Sequence, residues 1–282
     1  MIENTFRIVS FDYFGARYYA SDLSIWMSVD PLASKYPSLS PYAYVANNPI
    51  MLIDPDGMRI GDFYNQKGKY LGTDGKSDKK NYIVTNNKEA KAIKKATKKG
   101  ENYSNEVVSK IELPVYNIRN EMGKAVDRAG ENAFHEEGGV IANMSDGSKK
   151  VVNAKPGAPA NPSIDGYASI NVMDAANQSE VKGYSTLNGT FHTHPDGEIV
   201  KTNNPNSPVS GSTIGGSETT YSFTQSPSSP DISNHRARAN RGLVTGNSYV
   251  LGTGNNTVYI YDGGGIKATF PLLKFRTRLR NE

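Results

Sequence analysis

The sequence predicts an α+β protein in which a mixed sheet is flanked by helices. Short stretches rich in Val, Ile and Tyr and bounded by Gly, Asn and Pro are typical of strands. Two stretches in the middle of the chain favour helices, one by a capping Asn and a terminal Gly, the other by apolar residues at three- and four-residue spacing. In the C-terminal part, strands are predicted at residues 139–144, 169–173, 189–194, 248–251 and 258–261.

Composition excludes several kinds of site. The 282 residues include no cysteine, which excludes disulfides, thiolate zinc sites and cysteine nucleophiles. Since the chain has four histidines, a metal site has to combine histidine with carboxylates. The net charge of +4 is too small to indicate nucleic-acid binding, and no nucleic-acid partner is expected. No apolar run reaches the ~18 residues of a membrane span, and residues 1–10 lack the apolar stretch of a signal peptide, so no membrane span is expected.

Residues 1–58 form a first segment that is dense in aromatic residues and turn formers, a composition that predicts a small β unit. Its residues resemble the RHS repeat-associated core of polymorphic toxins, above all FDYFGARYY at 11–19, IWMSVDPL at 25–32 and NNPIMLIDPDGM at 47–58. The resemblance implies a fragment of a larger protein cage, followed by a variable effector.

The RHS resemblance also implies partners and a route of delivery. These are a cognate immunity protein, the rest of the cage in a longer chain, and export through a dedicated secretion system as a secreted or delivered effector. RHS proteins often cleave themselves at a pair of Asp-Pro-x-Gly motifs; residues 54–57 fit this pattern, whereas residues 30–33 lack the glycine, so self-cleavage is left open. With the cage incomplete, Trp26, Tyr42 and Tyr44 are expected to be unusually exposed.

Residues 59–130 are predicted to connect this fragment to the effector. They contain a predicted hairpin at 64–72 and a predicted strand at 82–84. Apolar residues at helical spacing between 115 and 129, followed by Gly130, predict an amphipathic helix that packs against a core.

The other predicted helix of this connector is capped by Asn87 and ends near Gly100. Six lysines between residues 88 and 99 accompany a single glutamate. We interpret this face as solvated, because it has few apolar anchors and no interleaved aromatic residue. Contact with phosphate or with an anionic membrane is the alternative.

Residues 131–282 carry the candidate chemistry. His192 and His194 lie in a predicted strand that Pro195 ends, and alternate residues of a strand project from the same face. Their Cα atoms are then about 6–7 Å apart, so that both imidazoles can reach one metal ion. A half-exposed strand also carries such a pair by chance.

Two further groups supply carboxylates. Glu136 and Glu137 immediately precede a Gly-Gly pair and a predicted strand. Ser228 and Asp231 stand three residues apart, at the predicted start of a helix over residues 231–240. Because one step along a strand reverses the face, Glu136 and Glu137 are expected to face opposite ways.

The order of a Glu, an HxHP and a Ser-x-x-Asp resembles the JAMM (JAB/MPN) metallopeptidase signature, and JAB-like domains occur as tails of RHS proteins. The resemblance implies a JAMM/MPN-like sheet and a protein or peptide substrate cleaved at a peptide or isopeptide bond. It also implies one Zn²⁺ ion whose three ligands are His192, His194 and Asp231. In the same pattern Glu136 is the general base and Ser228 donates a hydrogen bond to the oxyanion. Such a site activates water and moves its proton to the leaving group.

The sequence departs from the family pattern in one place. A 32-residue insert, 196–227, separates the histidine motif from Ser228. It is rich in Ser, Thr, Gly and Asn and is interpreted as a flexible flap or substrate loop. Glu137 stays an alternative to Glu136 as the base.

Three classes of function follow from these patterns. The first is a zinc-dependent peptidase or isopeptidase of JAMM type, acting as the C-terminal effector or processing module of an RHS-type toxin. The second is a catalytically inactive MPN-like binding module, and the third is a non-peptidase toxin tip such as a nuclease. Of the remaining residues, His135 is expected at the surface or beside the ligands. His235 is expected in solvent, with a place lining the site as the alternative, and 274–280 is expected to be an edge strand or frayed end.

Overall fold

The structure is a computed structural model that describes residues 11–13, 17–30, 33, 40–44, 62–75, 80–103, 105–130, 134–160, 168–177, 184–202 and 218–279. The chain divides into two compact units, residues 1–115 with 278–282, and residues 116–277. This division assigns the second predicted helix to the C-terminal unit. The predicted boundary at residue 58 and the motif at 54–57 lie outside the described residues.

The N-terminal part of the first unit contains a small antiparallel sheet of three strands: β1 (Phe11–Tyr13), β2 (Tyr18–Ala20) and β3 (Ile25–Trp26). The expectation that Trp26 is exposed is wrong. Its ring is fully buried, because the Arg17 guanidinium lies 4.1 Å from the ring centroid and the rings of Tyr19 and Tyr44 pack at 5.4 and 5.5 Å. Tyr42 is 42% exposed, as expected.

A four-stranded sheet in the order β5-β4-β6-β7 completes this unit. Its strands are β4 (Asp62–Asn65), β5 (Tyr70–Thr73), β6 (Asn81–Val84) and β7 (Lys110–Glu112), and helix α1 (Asn87–Lys98) packs on it through the buried Ile93. The predicted hairpin, strand and helix are confirmed.

The N-cap of α1 lies one residue before the predicted position. Asn86, not Asn87, is the N-cap, because its side-chain oxygen accepts hydrogen bonds from the backbone N–H of Lys88 and Glu89 at 2.8 and 3.2 Å. The six lysines of this helix and its C-terminus are exposed, as a solvated face requires. Among the described residues, no helix is long and apolar enough to cross a membrane.

The second unit is built on a mixed six-stranded sheet in the order β15-β14-β13-β10-β8-β9. Its strands are β8 (Gly138–Met144), β9 (Lys149–Asn153), β10 (Tyr184–His194), β13 (Ser248–Gly252), β14 (Thr257–Asp262) and β15 (Gly265–Pro271). The central pair β10–β13 is parallel and its neighbours are antiparallel. Helices α2 (Tyr116–Ala129), α3 (Ser229–Asn240) and α4 (Leu272–Arg276) accompany the sheet, which confirms the predicted α+β class.

Two predictions for this unit are wrong. Residues 169–173 do not form a strand, since Ser169 makes an isolated bridge and Val172–Asn177 is a 3₁₀ helix. The Asn171 side chain accepts from Met173 N–H and donates to Asp174, a local pattern that competes with strand pairing. The tail is neither an edge strand nor frayed over residues 272–276, because Leu272 and Phe275 are buried on one face of α4.

The ends of the 196–227 insert form a hairpin of β11 (Glu198–Thr202) and β12 (Glu218–Ser222). Residues 203–217 lie outside the described part of the chain, so the predicted flap is seen here only at its two ends. From β12 the chain returns through residues 223–228 to the start of α3. The insert therefore begins and ends beside the C-terminal end of β10.

Gly138 lets β8 approach β10 closely. Gly138 lies opposite His192 in the antiparallel register. A Cβ atom at Gly138 would lie 2.8 Å from the Cα of His192 and closer still to the carbonyl oxygen of Phe191. Because backbone cannot yield as a side chain does, only glycine fits at this position. The close pairing places the residues just before β8 next to the two histidines.

The glycine requirement predicts that Gly138→Ala lowers the free energy of unfolding by about 1–3 kcal/mol, since the added methyl group overpacks the strand pair. Chemical denaturation of the full chain measures this. Lys149→Ala, at an exposed position of β9, is the control and is expected to change stability by less than about 0.5 kcal/mol. Equal stabilities of Gly138→Ala and the control would contradict the close approach.

Candidate metal centre

His192 and His194 end strand β10 and project from the same face of the sheet. Both side chains are buried, and their Nε2 atoms are 3.1 Å apart. The predicted strand, and with it the shared face of the two imidazoles, is confirmed. Two buried ring nitrogens at this separation can both coordinate one metal ion or can share one proton in a hydrogen bond.

Asp231 reaches the histidines from the first turn of α3. Its Oδ1 atom lies 3.3 Å from Nε2 of His192, and its Oδ2 atom lies 3.7 Å from Nε2 of His194. Ser228 is the N-cap of this helix and forms a capping box with Asp231. The Ser228 backbone N–H and hydroxyl both donate to Oδ2 of Asp231, at 2.7 and 2.6 Å. The hydrogen bonds of the cap thus fix Oδ2 of Asp231, while its Oδ1 points towards His192.

Glu136 approaches from the residues that lead into β8. Its carboxylate is buried, with Oε1 3.7 Å from Nε2 of His194. Glu137 is placed elsewhere: its carboxylate accepts a hydrogen bond from Nε of Arg128 at 2.9 Å, and its backbone exchanges hydrogen bonds with Thr193. Of the two glutamates, the structure brings Glu136 to the imidazoles.

One hydrogen bond orients the imidazole of His194. Its Nδ1 lies 2.5 Å from the carbonyl oxygen of Thr224, and only a protonated Nδ1 can donate to a carbonyl. The neutral ring therefore carries its lone pair on Nε2, directed at His192, Asp231 and Glu136. Fixing the tautomer through the second ring nitrogen is the usual support of a histidine metal ligand.

The donor atoms are spaced as metal ligands are. Buried Glu136, His192 and His194 have donor atoms within 4.8 Å of one another and could hold a metal ion. For a tetrahedral ion with ligands at about 2.0–2.2 Å, two donor atoms lie about 3.3–3.6 Å apart. The separations of 3.1 Å between the two histidines and 3.3 Å between His192 and Asp231 are close to this range. Two sets of three ligands are thus available, which share the histidines and differ in the carboxylate.

Burial and nearby charges shift the pKa values of the two carboxyl groups, Glu136 and Asp231, in opposite directions. Burial, with a smaller contribution from the charge of Asp231, raises the pKa of Glu136 to about 7. Burial would also raise the pKa of Asp231, but hydrogen bonds from His192 and Ser228 outweigh it and hold that pKa well below its usual range. At neutral pH, Asp231 is therefore ionised while Glu136 is close to its midpoint.

The pKa values of the two histidines, His192 and His194, also shift in opposite directions. Burial, together with the charge of His192, lowers the pKa of His194 to about 4. Burial would lower the pKa of His192 as well, but Asp231 and Glu136 outweigh it, so that this pKa is raised. In the metal-free cluster His194 is thus neutral near pH 7, and His192 is the imidazole that Asp231 favours in its protonated form.

The two remaining histidines lie outside this cluster. His135 is half-buried with Nε2 3.4 Å from Glu137, beside the ligands rather than among them, as predicted. The prediction that His235 lies in solvent is wrong. It is buried, its Nδ1 lies 2.9 Å from the Ser248 hydroxyl, and its ring packs 5.9 Å from that of Tyr261.

A cleft with about 310 Å³ of empty space, part of it open to solvent, adjoins the cluster and is lined by Glu136, His192 and Asp231. Arg238 and Tyr261 line it as well, and sequence reasoning missed both. Arg238 could have been found, because it follows Asp231 by two helical turns and so shares its face of α3. The role of the Thr224 carbonyl could not have been predicted, because every residue has a backbone carbonyl and the sequence does not mark which one contacts His194.

The buried carboxyl of Glu136 predicts a stability change with a defined pH dependence. Between its ordinary pKa of 4.5 and about 7, the folded protein holds a proton that the unfolded chain has released, so this group's stabilising contribution falls as the pH rises. In metal-free protein, Glu136→Gln is expected to match the wild type at pH 4.5 and to exceed it by about 1–3 kcal/mol at pH 8.5.

Urea unfolding in the presence of a chelator measures this difference. Glu137→Gln is the control and is expected to destabilise the chain at both pH values, because it breaks the ion pair with Arg128. If Glu136→Gln were less stable than the wild type at pH 8.5, burial would not destabilise the ionised carboxylate of Glu136.

Comparison with known proteins identifies no relative. No protein-family model, no curated protein and no solved structure matches this chain. Function is therefore inferred from the geometry of the four clustered side chains. The resemblances of the sequence to the RHS core and to the JAMM signature stay predictions.

Proposed function

We propose that the C-terminal unit is a zinc-dependent peptidase of JAMM type that cleaves peptide or isopeptide bonds in a protein or peptide substrate. The observation that carries this proposal is the convergence of two imidazoles from one strand with the Asp231 carboxylate at the start of a helix, beside the buried Glu136. This arrangement brings together, in space, residues that are up to 95 positions apart in the chain. A JAMM/MPN-like fold for the mixed sheet belongs to the same proposal.

The donor set fits zinc. Two neutral imidazoles and one carboxylate, with a fourth position open, are typical of catalytic zinc sites. Asp231 is the better third ligand, because its oxygen lies closer to His192 than the Glu136 oxygen lies to His194, at 3.3 against 3.7 Å, and because it stays ionised. When bound, the zinc ion would supply Lewis-acid chemistry, polarising a carbonyl and lowering the pKa of water.

Glu136 is proposed as the general base. A group that accepts a proton from water and returns it to the leaving amine works best when its pKa is near the working pH. Burial raises the pKa of Glu136 to about 7, which meets this condition. Its oxygen lies 3.7 Å from Nε2 of His194, within reach of a water molecule at the cluster. Glu137, which pairs with Arg128, is a weaker candidate.

Ser228 is proposed first as the residue that positions Asp231. Its hydroxyl hydrogen is directed to Oδ2 of Asp231 at 2.6 Å, so donation to a substrate oxyanion requires the hydroxyl to rotate away from that bond. The predicted role of Ser228 in supporting the oxyanion stays a prediction. Positioning of Asp231 follows from contacts of both the backbone and the side chain.

The biological setting in this proposal comes from the RHS resemblance of residues 1–58. In that setting the peptidase acts as the effector or processing module of an RHS-type toxin, delivered by a secretion system and neutralised by an immunity protein. The nuclease alternative gains no support from α3, since Arg236 donates to the carbonyl of Gly263 and Arg238 lines the cleft. The binding-module alternative is an outcome of the tests below.

The proposed base predicts that Glu136→Gln keeps zinc and loses hydrolysis. Removing general-base catalysis typically lowers the rate by about 10²–10⁴-fold. Elemental analysis gives the zinc content of the full chain, and a fluorogenic peptide mixture with a lysine-linked isopeptide gives the activity. Glu137→Gln is the matched control and is expected to keep both. Zinc binding by the wild type without hydrolysis of either substrate would favour the binding module, and full activity of Glu136→Gln would exclude its role as base.

The proposed ligand set predicts different losses for two residues of the capping box. Asp231→Ala is expected to lose zinc and activity together, because it removes a ligand. Ser228→Ala removes only the support of that ligand and is expected to keep a zinc site weakened about 10–100-fold. Both variants lose the cap, at about 1 kcal/mol, so helix stability is matched between them. Full zinc content in Asp231→Ala would assign the third ligand to Glu136 instead.

A further inference from the structure

The cleft beside the metal-ligand cluster has a second wall, formed by α3 and β14. Asp231, Asn234 and Arg238 lie on one face of α3, since they follow each other at three- and four-residue steps, and all three line the cleft. Tyr261 of β14 lies on the same side. A substrate group bound next to the proposed scissile bond would therefore contact these side chains.

The guanidinium of Arg238 lies in this wall with its donors unused. The residue is half-buried, and within the part of the chain that the structure describes its side chain makes no hydrogen bond or ion pair. Arg236, on the same helix, is exposed and donates to the carbonyl of Gly263 at 2.6 Å. Asp231 acts on this cation through its charge, but among the described residues no protein group replaces the hydrogen bonds to water that the guanidinium loses on burial. A ligand carboxylate restores those bonds in pairs, because it matches the fork of the guanidinium.

The wall behind Arg238 is held by a polar network. The hydroxyls of Thr190 and Ser248 are 3.1 Å apart, the Tyr261 hydroxyl hydrogen-bonds with both, and His235 bonds Ser248 from below at 2.9 Å. Because these groups satisfy one another, they hold their orientations without a ligand. The cleft is thus a formed polar pocket whose wall on α3 carries a cation, the guanidinium of Arg238.

We propose that Arg238 binds a carboxylate of the substrate, so that the enzyme selects substrates with a negative charge beside the bond it cleaves. This inference rests on the proposed function, since the cleft is the substrate site only if the cluster is the catalytic centre. The carboxylate is either the C-terminus of a peptide or an acidic side chain, which present the same chemistry to a guanidinium.

The test uses two probes that bind zinc through a hydroxamate and differ only in their tail. The hydroxamates of succinic acid and of succinamide carry a carboxylate and an amide of the same shape. For the zinc-loaded full chain, calorimetry is expected to give about 10–100-fold tighter binding of the carboxylate probe, the range of a charge-assisted hydrogen-bonded pair. In Arg238→Gln the ratio of the two affinities is expected to fall to about one.

Arg241→Gln is the matched control, because it removes the same charge from the exposed end of the same helix, and it is expected to keep the wild-type ratio. Zinc content shows that each variant is folded, and Arg238→Lys replaces Arg238→Gln if the latter fails to fold; it is expected to reduce the ratio, since lysine cannot pair with both oxygens. A wild-type ratio in the folded Arg238 variant would overturn the inference, because the preference would then come from the zinc charge alone.

The two proposals fail in different ways. If the wild type binds zinc but does not distinguish the probes, the inference about Arg238 is wrong and the proposed function stands. If it binds no zinc, the proposed function is wrong and the inference falls with it. Cleavage of peptides with free or amidated C-termini, each with and without an internal glutamate, then identifies which carboxylate Arg238 selects.

Discussion

Three buried ionisable side chains and the partly buried Asp231 meet at the end of β10, and such a cluster is stable only when its charges compensate one another. Asp231 is the centre of this balance. It is an anion that Ser228 holds through two hydrogen bonds, and it lies 3.3 Å from Nε2 of His192, whose pKa it raises. Glu136 and His194 respond to the same burial by shifting towards their neutral forms, at pKa values of about 7 and 4. A divalent cation would supply positive charge to the two carboxylates, and its binding requires unprotonated imidazole nitrogens, which couples metal binding to proton release.

Much of the site could be predicted because it depends on local periodicity. Alternation along a strand places His192 and His194 on one face, and capping chemistry places Ser228 and Asp231 in the first turn of α3. The choice of Glu136 over Glu137 came from the resemblance to the JAMM signature, because residue spacing alone leaves it open. It depends on the register in which β8 pairs with β10, and that register requires glycine at position 138. Sequence spacing alone does not contain a long-range pairing of this kind.

The errors have physical causes. Residues 169–173 read as a strand by composition, but the side chain of Asn171 bonds its neighbours, and Val172–Asn177 forms a 3₁₀ helix instead. His235 looks exposed on a polar helix, yet the face that carries it packs on the sheet next to Ser248. In the same way the burial of Trp26 depends on Arg17, whose guanidinium covers the ring from another part of the chain. Local side-chain hydrogen bonds explain the first error, whereas packing between elements explains the other two.

The described C-terminal end of the 196–227 insert contributes to the site. Its return strand leads to Thr224, whose carbonyl orients His194, and to Phe223, whose ring stacks on that of Phe134 just before β8. A crystal structure of the full chain grown with zinc, with anomalous data at the zinc edge, tests the account most directly. It should show one ion bonded to Nε2 of His192, Nε2 of His194 and an oxygen of Asp231, with Glu136 nearby but not bonded. An ion held by Glu136 in place of Asp231, or no ion at the histidines, would contradict it.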